Sequence, residues 1–216
     1  LIKTDYQLRN LSGALKVLEL LKIELKQEKI QKALDAITLR GRFQVFKCKN
    51  KEWVIDVAHN NQASLSLVKS AKKLPAAVNN LGVFGLQKTK RLHDFFEPLI
   101  GLVDLWFLPD LNEANFWSAN EIEALLKKLG VRRKNIFVFK STSDAIDAIN
   151  LRSDEDRVLV AGSFVVVKNV LEDELTKALN SKSSKEEIGE ITKKVLKKLY
   201  KDISYHHPYI IDRIKV

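Results

Sequence analysis

The segment WVIDVAHNNQA places three polar side chains directly after an apolar run. Asp56 follows the run, and His59 and Asn60 come three and four residues later. At the carboxyl end of a parallel strand, an aspartate can accept hydrogen bonds from a ribose hydroxyl or hold a cation. Asp56 and Asn60 could equally cap the helix that follows. The pattern alone leaves both interpretations open.

Two further segments carry candidate anion-binding groups. In LRGRFQVF, Arg42 follows Gly41 just before the first predicted strand. Its planar guanidinium suits phosphate, although an isolated surface arginine is the commoner explanation. In VLVAGSFVVV, Gly162 allows a tight turn after a strand, and the amides around Ser163 at the start of a helix favour anions. A lone GS pair after a strand is a weak signal.

An alternation of apolar runs and helical patterns surrounds these residues and predicts an α/β fold. RFQVFKC and WVIDV have the pattern of two strands joined by a KNKE turn. LGVFG, LVDLWFL, NIFVF and RVLVAG each have the pattern of a strand, with helical patterns between them. Such connections favour right-handed crossovers and a Rossmann-like, mostly parallel sheet with helices on both faces. The near-continuous apolar character of most of these runs predicts burial on both sides.

Helical patterns also lie towards both ends of the chain. Leucines recur every three or four residues from Leu8 to Leu25, which predicts one amphipathic helix. QEKIQKALDAI predicts a second helix, with Ala33 among its inward-facing residues. After SKSSK the composition becomes basic and a further amphipathic pattern follows. We therefore predict a helical segment over 1–38, the α/β domain over 39–180 and a basic helical tail over 181–216.

The composition is that of a globular protein, with 45% apolar residues and Cys48 as the single cysteine. One cysteine fits a reducing compartment, no run approaches the roughly 20 apolar residues of a membrane span, and the start lacks an apolar leader. A cytoplasmic protein without membrane association is expected. The net charge of +10 suits a polyanion, either ATP or nucleic acid. Nucleic acid is less favoured, because the lysines are spread thinly and no aromatic-interleaved basic stretch occurs.

Five segments together resemble the C-terminal half of the folylpolyglutamate synthase/dihydrofolate synthase family, within the Mur ligase superfamily. They follow the family's order and approximate spacing over residues 6–175, and they are NLSGALKVLELL, LRGRFQVF, VIDVAHNNQA, GVFGLQKTK and VLVAGSFVVV. The resemblance implies a ligase in which ATP phosphorylates a carboxylate of a folate or dihydropteroate. The amine of L-glutamate then displaces phosphate through a tetrahedral intermediate.

The resemblance also implies roles for individual residues. Asn10 matches an asparagine that faces the nucleotide, Arg42 matches the arginine that approaches the ATP phosphates, and Asp56 matches an aspartate expected at the ribose. Asn60 completes the same nucleotide-binding motif, with His59 as the catalytic candidate. In this family ATP binds between a central P-loop domain and a C-terminal Rossmann-like domain.

The sequence departs from the family's pattern at several points. Asn61 replaces a usual proline, and LQKTK replaces an acidic–lysine–acidic triplet, which leaves Lys88 as a weaker candidate beside Gly162 and Ser163. No GKS/T phosphate loop occurs in the sequence. We therefore expect the P-loop and the Mg²⁺ ligands in a central domain outside these residues, no metal site in the chain itself, and no activity for the chain alone. The alternative is a catalytically inactive, Mur-ligase-like binding module whose basic tail docks a partner protein or RNA.

Overall fold

A computed structural model describes residues 4–24, 26–36, 41–48, 50–152 and 155–180, with the backbone alone at 35–36 and 174–180. The described residues up to Val170 form one compact unit, and those from Leu171 onwards belong to a second. The predicted tail over 181–216 lies outside the described residues. None of the described helices is long and apolar enough to cross a membrane.

Helices and strands alternate along the described chain. The helices are α1 (Asp5–Leu20), α2 (Gln27–Ala36), α3 (Asn61–Ala71), α4 (Leu92–Phe96), α5 (Ala119–Lys128), α6 (Thr142–Asn150) and α7 (Phe164–Asn180). The strands are β1 (Gln44–Cys48), β2 (Lys51–Ile55), β3 (Asn80–Phe84), β4 (Leu105–Pro109), β5 (Ile136–Phe139) and β6 (Arg157–Ala161). Short 3₁₀ turns follow α4 and precede β5. Within the described residues each predicted strand and helix is present, but α1 ends at Leu20, short of the predicted extension towards Leu25.

The six strands form one mostly parallel sheet in the order β1-β2-β6-β3-β4-β5. Only β1 is antiparallel, paired with β2 as the predicted hairpin. β6 lies between β2 and β3, so Val160 is in register with Ile55 on one side and Val83 on the other. The carboxyl ends of β2, β6 and β3 therefore lie side by side, where loops leave the sheet.

The sheet is buried on both faces, as its apolar strands predict. Phe84, Trp106 and Leu159 belong to a core cluster that includes side chains of α3, α4 and α5. Val158 and Val160, which point the other way along β6, are equally buried. On that side α6 packs on β4 and β5. The predicted α/β architecture with helices on both faces is confirmed.

Charged groups fix the opposite, amino-terminal ends of the central strands. Asp156, which is 1% exposed, accepts from Asn79 Nδ2 and from Arg152 Nε, each at 2.7 Å. Arg157 Nε donates to Glu52 Oε1 at 2.5 Å. Buried charges are tolerated when they are paired and hydrogen-bonded in this way. The charged groups at this end of the sheet therefore stabilise the fold.

Helix α1 begins at a capping box and contacts α3. Thr4 accepts from the Gln7 N–H, and Gln7 Oε1 in turn accepts from the Thr4 N–H. Asp5 contacts the ammonium groups of Lys69 and Lys73 on α3, at 2.5 Å and 3.2 Å. These two ammonium groups lower the pKa of Asp5. Since all three side chains are well exposed, the ion pairs contribute little stability.

The apolar stripe predicted for α1 is only partly covered in the described chain. Leu11, Leu15 and Leu18 are half-buried. Leu8 is 54% exposed, and Leu21, just past the helix end, is 64% exposed. On α2, Ala33 is exposed, so its predicted inward position is wrong within the described residues. Periodicity predicted the helix, but within the described residues this stripe is at most half-buried.

Candidate functional site

The loops that leave β2, β6 and β3 meet at one edge of the sheet. The Gly162 N–H donates to the Ala58 carbonyl at 2.7 Å, and the Gly85 N–H donates to the Ala161 carbonyl at 3.3 Å. Gly162 has φ +110°, and a Cβ there would lie 2.4 Å from the Gly85 carbonyl oxygen. The glycine thus permits a close backbone approach that no other residue could make.

Asp56 lies at the centre of this edge and is 6% exposed. Its Oδ1 accepts from the Ala58 N–H, and its Oδ2 accepts from the Phe43 N–H, both at 2.8 Å. The Tyr6 hydroxyl donates to the same Oδ2 at 3.4 Å. Burial raises the pKa of Asp56, and the two N–H donors and the Arg42 charge offset this only in part. Asp56 therefore joins α1, the residue 41–43 turn and the end of β2, and it does not cap α3.

Arg42 occupies a turn whose backbone is held from several sides. The residues on either side have left-handed backbones, with φ +64° at Gly41 and φ +49° at Phe43. A non-glycine residue in that region is strained, and the Asp56 carboxylate holds it through the Phe43 N–H. Gln7 Nε2 donates to the Arg42 carbonyl at 2.9 Å. The Arg42 side chain is left exposed at a fixed point on the site edge.

His59 and Asn60 shape the loop between Asp56 and α3. His59 Nδ1 lies 2.8 Å from the Val57 carbonyl. Because a carbonyl only accepts, Nδ1 donates in this contact, so Nε2 is the ring nitrogen left for another partner. Asn60 Oδ1 accepts from the Ala63 N–H at 2.9 Å and so caps α3. The capping interpretation is thus correct for Asn60.

Asn61, the departure from the family's proline, is the first residue of α3. Proline is favoured at this position because its fixed φ suits a helix start. Asn61 instead uses its side chain, whose Nδ2 donates to the Asp94 carbonyl of α4 at 2.9 Å. This hydrogen bond attaches the loop to α4, whereas a proline would have restricted the backbone instead.

The weaker candidates lie around the same edge. Ser163 is 7% exposed, and its Oγ accepts from the Val166 N–H in the first turn of α7. Lys88 is exposed on the loop after β3, where its backbone N–H donates to the Asn115 carbonyl. The Ser118 hydrogen bonds lower the pKa of Glu121, and the Lys88 charge adds a smaller lowering. Asn10 is exposed on α1, one turn beyond Tyr6 and on the same face of the helix. The structure thus links four of the candidates through their own hydrogen bonds or those of neighbouring residues, namely Arg42, Asp56, Gly162 and Ser163. Among the described residues it shows no such link for Asn10 or Lys88.

A family model for the glutamate ligase domain of Mur ligases matches residues 41–164, more than half of the 216 residues. The chain belongs to this family. The dihydrofolate synthase/folylpolyglutamate synthase of Buchnera aphidicola subsp. Baizongia pistaciae (strain Bp) is 30% identical over 146 residues, which cover 67% of this chain and 33% of that protein. The glutamate ligase domain thus spans about a third of the length of that curated relative.

Solved structures of the same kind of enzyme share the fold. Escherichia coli FolC in complex with DHPP and ADP has a TM-score of 0.69 and 30% identity, and the match covers 80% of this chain and 39% of that one. A bifunctional folylpolyglutamate synthase/dihydrofolate synthase with Mn, AMPPNP and L-glutamate bound has a TM-score of 0.68 and 26% identity, covering 79% and 39%. The family resemblance predicted from the five sequence segments is confirmed.

Three residues at the edge of this glutamate ligase domain escaped the sequence analysis. Tyr6 and Gln7 reach Asp56 and the Arg42 carbonyl from α1. The T-x-x-Q spacing from Thr4 to Gln7 signals a capping box, but it does not reveal that the glutamine amide also reaches a distant turn. Phe164, whose ring lies beside Arg42, carries no signal in a run of apolar residues. In the part of the chain that the structure describes, no group of three or more His, Cys, Asp or Glu could hold a metal ion.

The wild type is expected to lose stability at alkaline pH, and Tyr6→Phe is expected to prevent this loss. Burial and the Asp56 charge raise the pKa of Tyr6 from 10.0 to about 12. Because the folded state holds this proton more tightly, the resulting stability is fully present below pH 10.0 and is lost as the pH rises towards about 12. Urea unfolding of both proteins from pH 8 upward measures the effect. The wild type should lose stability relative to Tyr6→Phe only above about pH 10, and parallel curves would contradict a raised pKa.

Proposed function

We propose that this chain is the C-terminal domain of an ATP-dependent ligase that adds L-glutamate to folate or dihydropteroate. In this reaction ATP transfers its γ-phosphoryl group to a carboxylate, and the glutamate amine then attacks the acyl phosphate and releases phosphate. The observation that carries the proposal is the turn that presents Arg42 at the carboxyl edge of the sheet, in a domain of the Mur ligase family. Open α/β sheets bind ligands at this edge.

Each candidate residue has a role that its surroundings support. Arg42 binds the ATP phosphates, since its exposed guanidinium offers paired donors on a fixed backbone. Asp56 holds that backbone in place, and its three hydrogen bonds leave acceptor capacity for one ribose hydroxyl. His59 contributes the free Nε2 as the catalytic candidate. Asn60 keeps the loop and α3 in register, and Asn10 faces the nucleotide from α1.

The remaining parts of the ligase are proposed to lie in a P-loop domain, which supplies the phosphate loop and the ligands of Mg²⁺. Two observations support this partner. The chain covers only 39% of each of the two solved structures described above. The α1 region also presents large apolar side chains that are about half or more exposed, namely Leu8, Val17, Leu20, Leu21 and Ile23. We propose that residues 1–38 end the P-loop domain, that 39–180 form the glutamate ligase domain in the cytoplasm, and that 181–216 form a basic tail.

The affinity of the chain for MgATP tests this proposal. Calorimetric titration of the wild type, Arg42→Ala and Arg132→Ala compares the site arginine with an exposed arginine before β5. Loss of a charged hydrogen-bond donor costs about 1.5–3 kcal/mol, so Arg42→Ala should weaken binding roughly tenfold or more, whereas Arg132→Ala should have little effect. Equal ATP affinity in the wild type and Arg42→Ala would contradict the assignment.

Glutamate addition tests the second half of the proposal. The chain is mixed with a P-loop domain of the same family, and incorporation of L-glutamate into folate or dihydropteroate is followed with and without Arg42→Ala. Wild-type activity that Arg42→Ala reduces supports the ligase. Failure to bind ATP or to add glutamate in the presence of that domain would favour the inactive binding module, to which the altered LQKTK loop points.

A further inference from the structure

The first residue of α7, Phe164, is an exposed aromatic side chain beside Arg42. It is 59% exposed, and its ring centroid lies 6.0 Å from the Arg42 guanidinium carbon. The residues just before it are fixed, because Gly162 is bonded to Ala58 and Ser163 is a buried cap of α7. The ring is therefore held at a defined place on the site edge.

The packing of α7 does not explain the exposed ring. Val166 and Val170 are fully buried and attach the first turns of the helix to the domain. Phe164 contributes little to that core, since most of its surface faces solvent. The Arg42 guanidinium lies beside the ring. The exposed Phe164 ring beside Arg42 therefore suggests that the ring acts on the Arg42 guanidinium.

We infer that Phe164 is a positioning residue that keeps the Arg42 guanidinium over its ring, ready for phosphate. The π face of an aromatic ring attracts a guanidinium within about 6 Å of its centroid. A guanidinium packed on a ring retains N–H edges that can still bind phosphate. The ring thus restricts the arginine before the ligand arrives, which reduces the conformational entropy lost on binding. The identity of the ligand as ATP rests on the proposed function.

Nuclear magnetic resonance of the free chain tests the positioning itself, without any ligand. The Arg42 Nε–Hε signal is assigned by its absence in Arg42→Lys and is compared in the wild type, Phe164→Leu, Phe164→Tyr and Leu151→Ala. Leu151 is an exposed residue after α6 and serves as the matched loss of a surface apolar side chain. We expect the ring-current shift of the Arg42 signal to disappear in Phe164→Leu and to persist in the other two. An unchanged Arg42 signal in a folded Phe164→Leu protein would overturn the inference.

A double-mutant cycle with MgATP tests the consequence for binding. An exposed cation–π contact is worth about 0.5–1 kcal/mol, so Phe164→Leu should weaken ATP binding about two- to fivefold and Phe164→Tyr should restore it. In an Arg42→Ala background, Phe164→Leu should have no further effect. An equal loss in both backgrounds would mean that Phe164 contacts the nucleotide directly, and would overturn the positioning role. If the wild type binds no ATP, the proposed function fails, while the resonance experiment still decides whether Phe164 positions Arg42.

Discussion

Gly162→Ala should destabilise the domain by roughly 3–5 kcal/mol, a large part of a typical domain's stability. Two effects add. The glycine has φ +110°, where an L side chain is strained, and the new Cβ would lie 2.4 Å from the Gly85 carbonyl oxygen and 2.9 Å from its carbonyl carbon. Because these atoms are backbone at the junction of β6 and β3, they can move only if the sheet edge opens.

Gly130→Ala is the matched control for this substitution. Gly130 also has a left-handed backbone, with φ +88°, but no atom lies within 4 Å of a Cβ there. Its substitution should cost only the conformational strain, about 1–2 kcal/mol. Urea unfolding of both variants and the wild type measures the difference. If Gly162→Ala is no less stable than Gly130→Ala, the close approach of Gly162 to Gly85 is wrong.

Asp56→Ala should cost roughly 2–5 kcal/mol in unfolding free energy, because it leaves two buried N–H groups without their acceptor. These are the N–H groups of Phe43 and Ala58. Asp56→Asn should cost less, since one oxygen remains. Asp56→Ala should also release the strained turn that carries Arg42. Loss of ATP binding in Asp56→Ala would therefore not by itself show that the carboxylate touches the nucleotide, whereas loss in Arg42→Ala, which leaves the turn intact, is easier to interpret.

Asp104→Ala provides the comparison for Asp56. Asp104 is exposed and accepts a single backbone N–H, from Asn80, at 2.8 Å. Its removal should change the unfolding free energy by about 1 kcal/mol or less, and equal losses for both variants would contradict the central place given to Asp56. The pH dependence of the unfolding free energy, compared between the wild type and Asp56→Asn, is an independent measurement. Because burial raises the pKa of Asp56 above its usual value of 3.8, the stability it contributes falls as the pH rises from 3.8 through the folded pKa, and is constant above it.

The sheet and its helices could be predicted because their signals are local. Apolar runs such as VLVA and helical repeats such as EIEALLKK lie within single elements. The KNKE hairpin also made it predictable that Arg42 and Asp56 would be close, since β1 and β2 pair from Gln44–Ile55 to Cys48–Lys51. The insertion of β6 between β2 and β3 was not predicted, because strand order depends on contacts between distant segments.

The sequence patterns marked residue types at this edge of the sheet but not the contacts between them. The motif marked Asp56, but its bonds to Phe43 and Tyr6 connect segments 13 and 50 residues away, which no local pattern encodes. Asn60 was open between a ligand role and a helix cap, and its bond to Ala63 shows the cap. The exposed position of Phe164 could not be predicted, because an exposed and a buried phenylalanine look the same in an apolar run. Such features depend on the tertiary fold.

The central position of β6 also bears on how the protein is made. Among the described strands it is the last in chain order, yet it must fill the gap between two strands synthesised much earlier. Until it arrives, the facing edges of β2 and β3 expose unpaired backbone groups of the kind that drive aggregation. Hydrogen bonds of residues 161 and 162 also link Gly85 and Ala58. A nascent or truncated chain that ends before residue 157 therefore has neither a closed core nor the joined loops of the candidate site, so this site forms only together with the sheet.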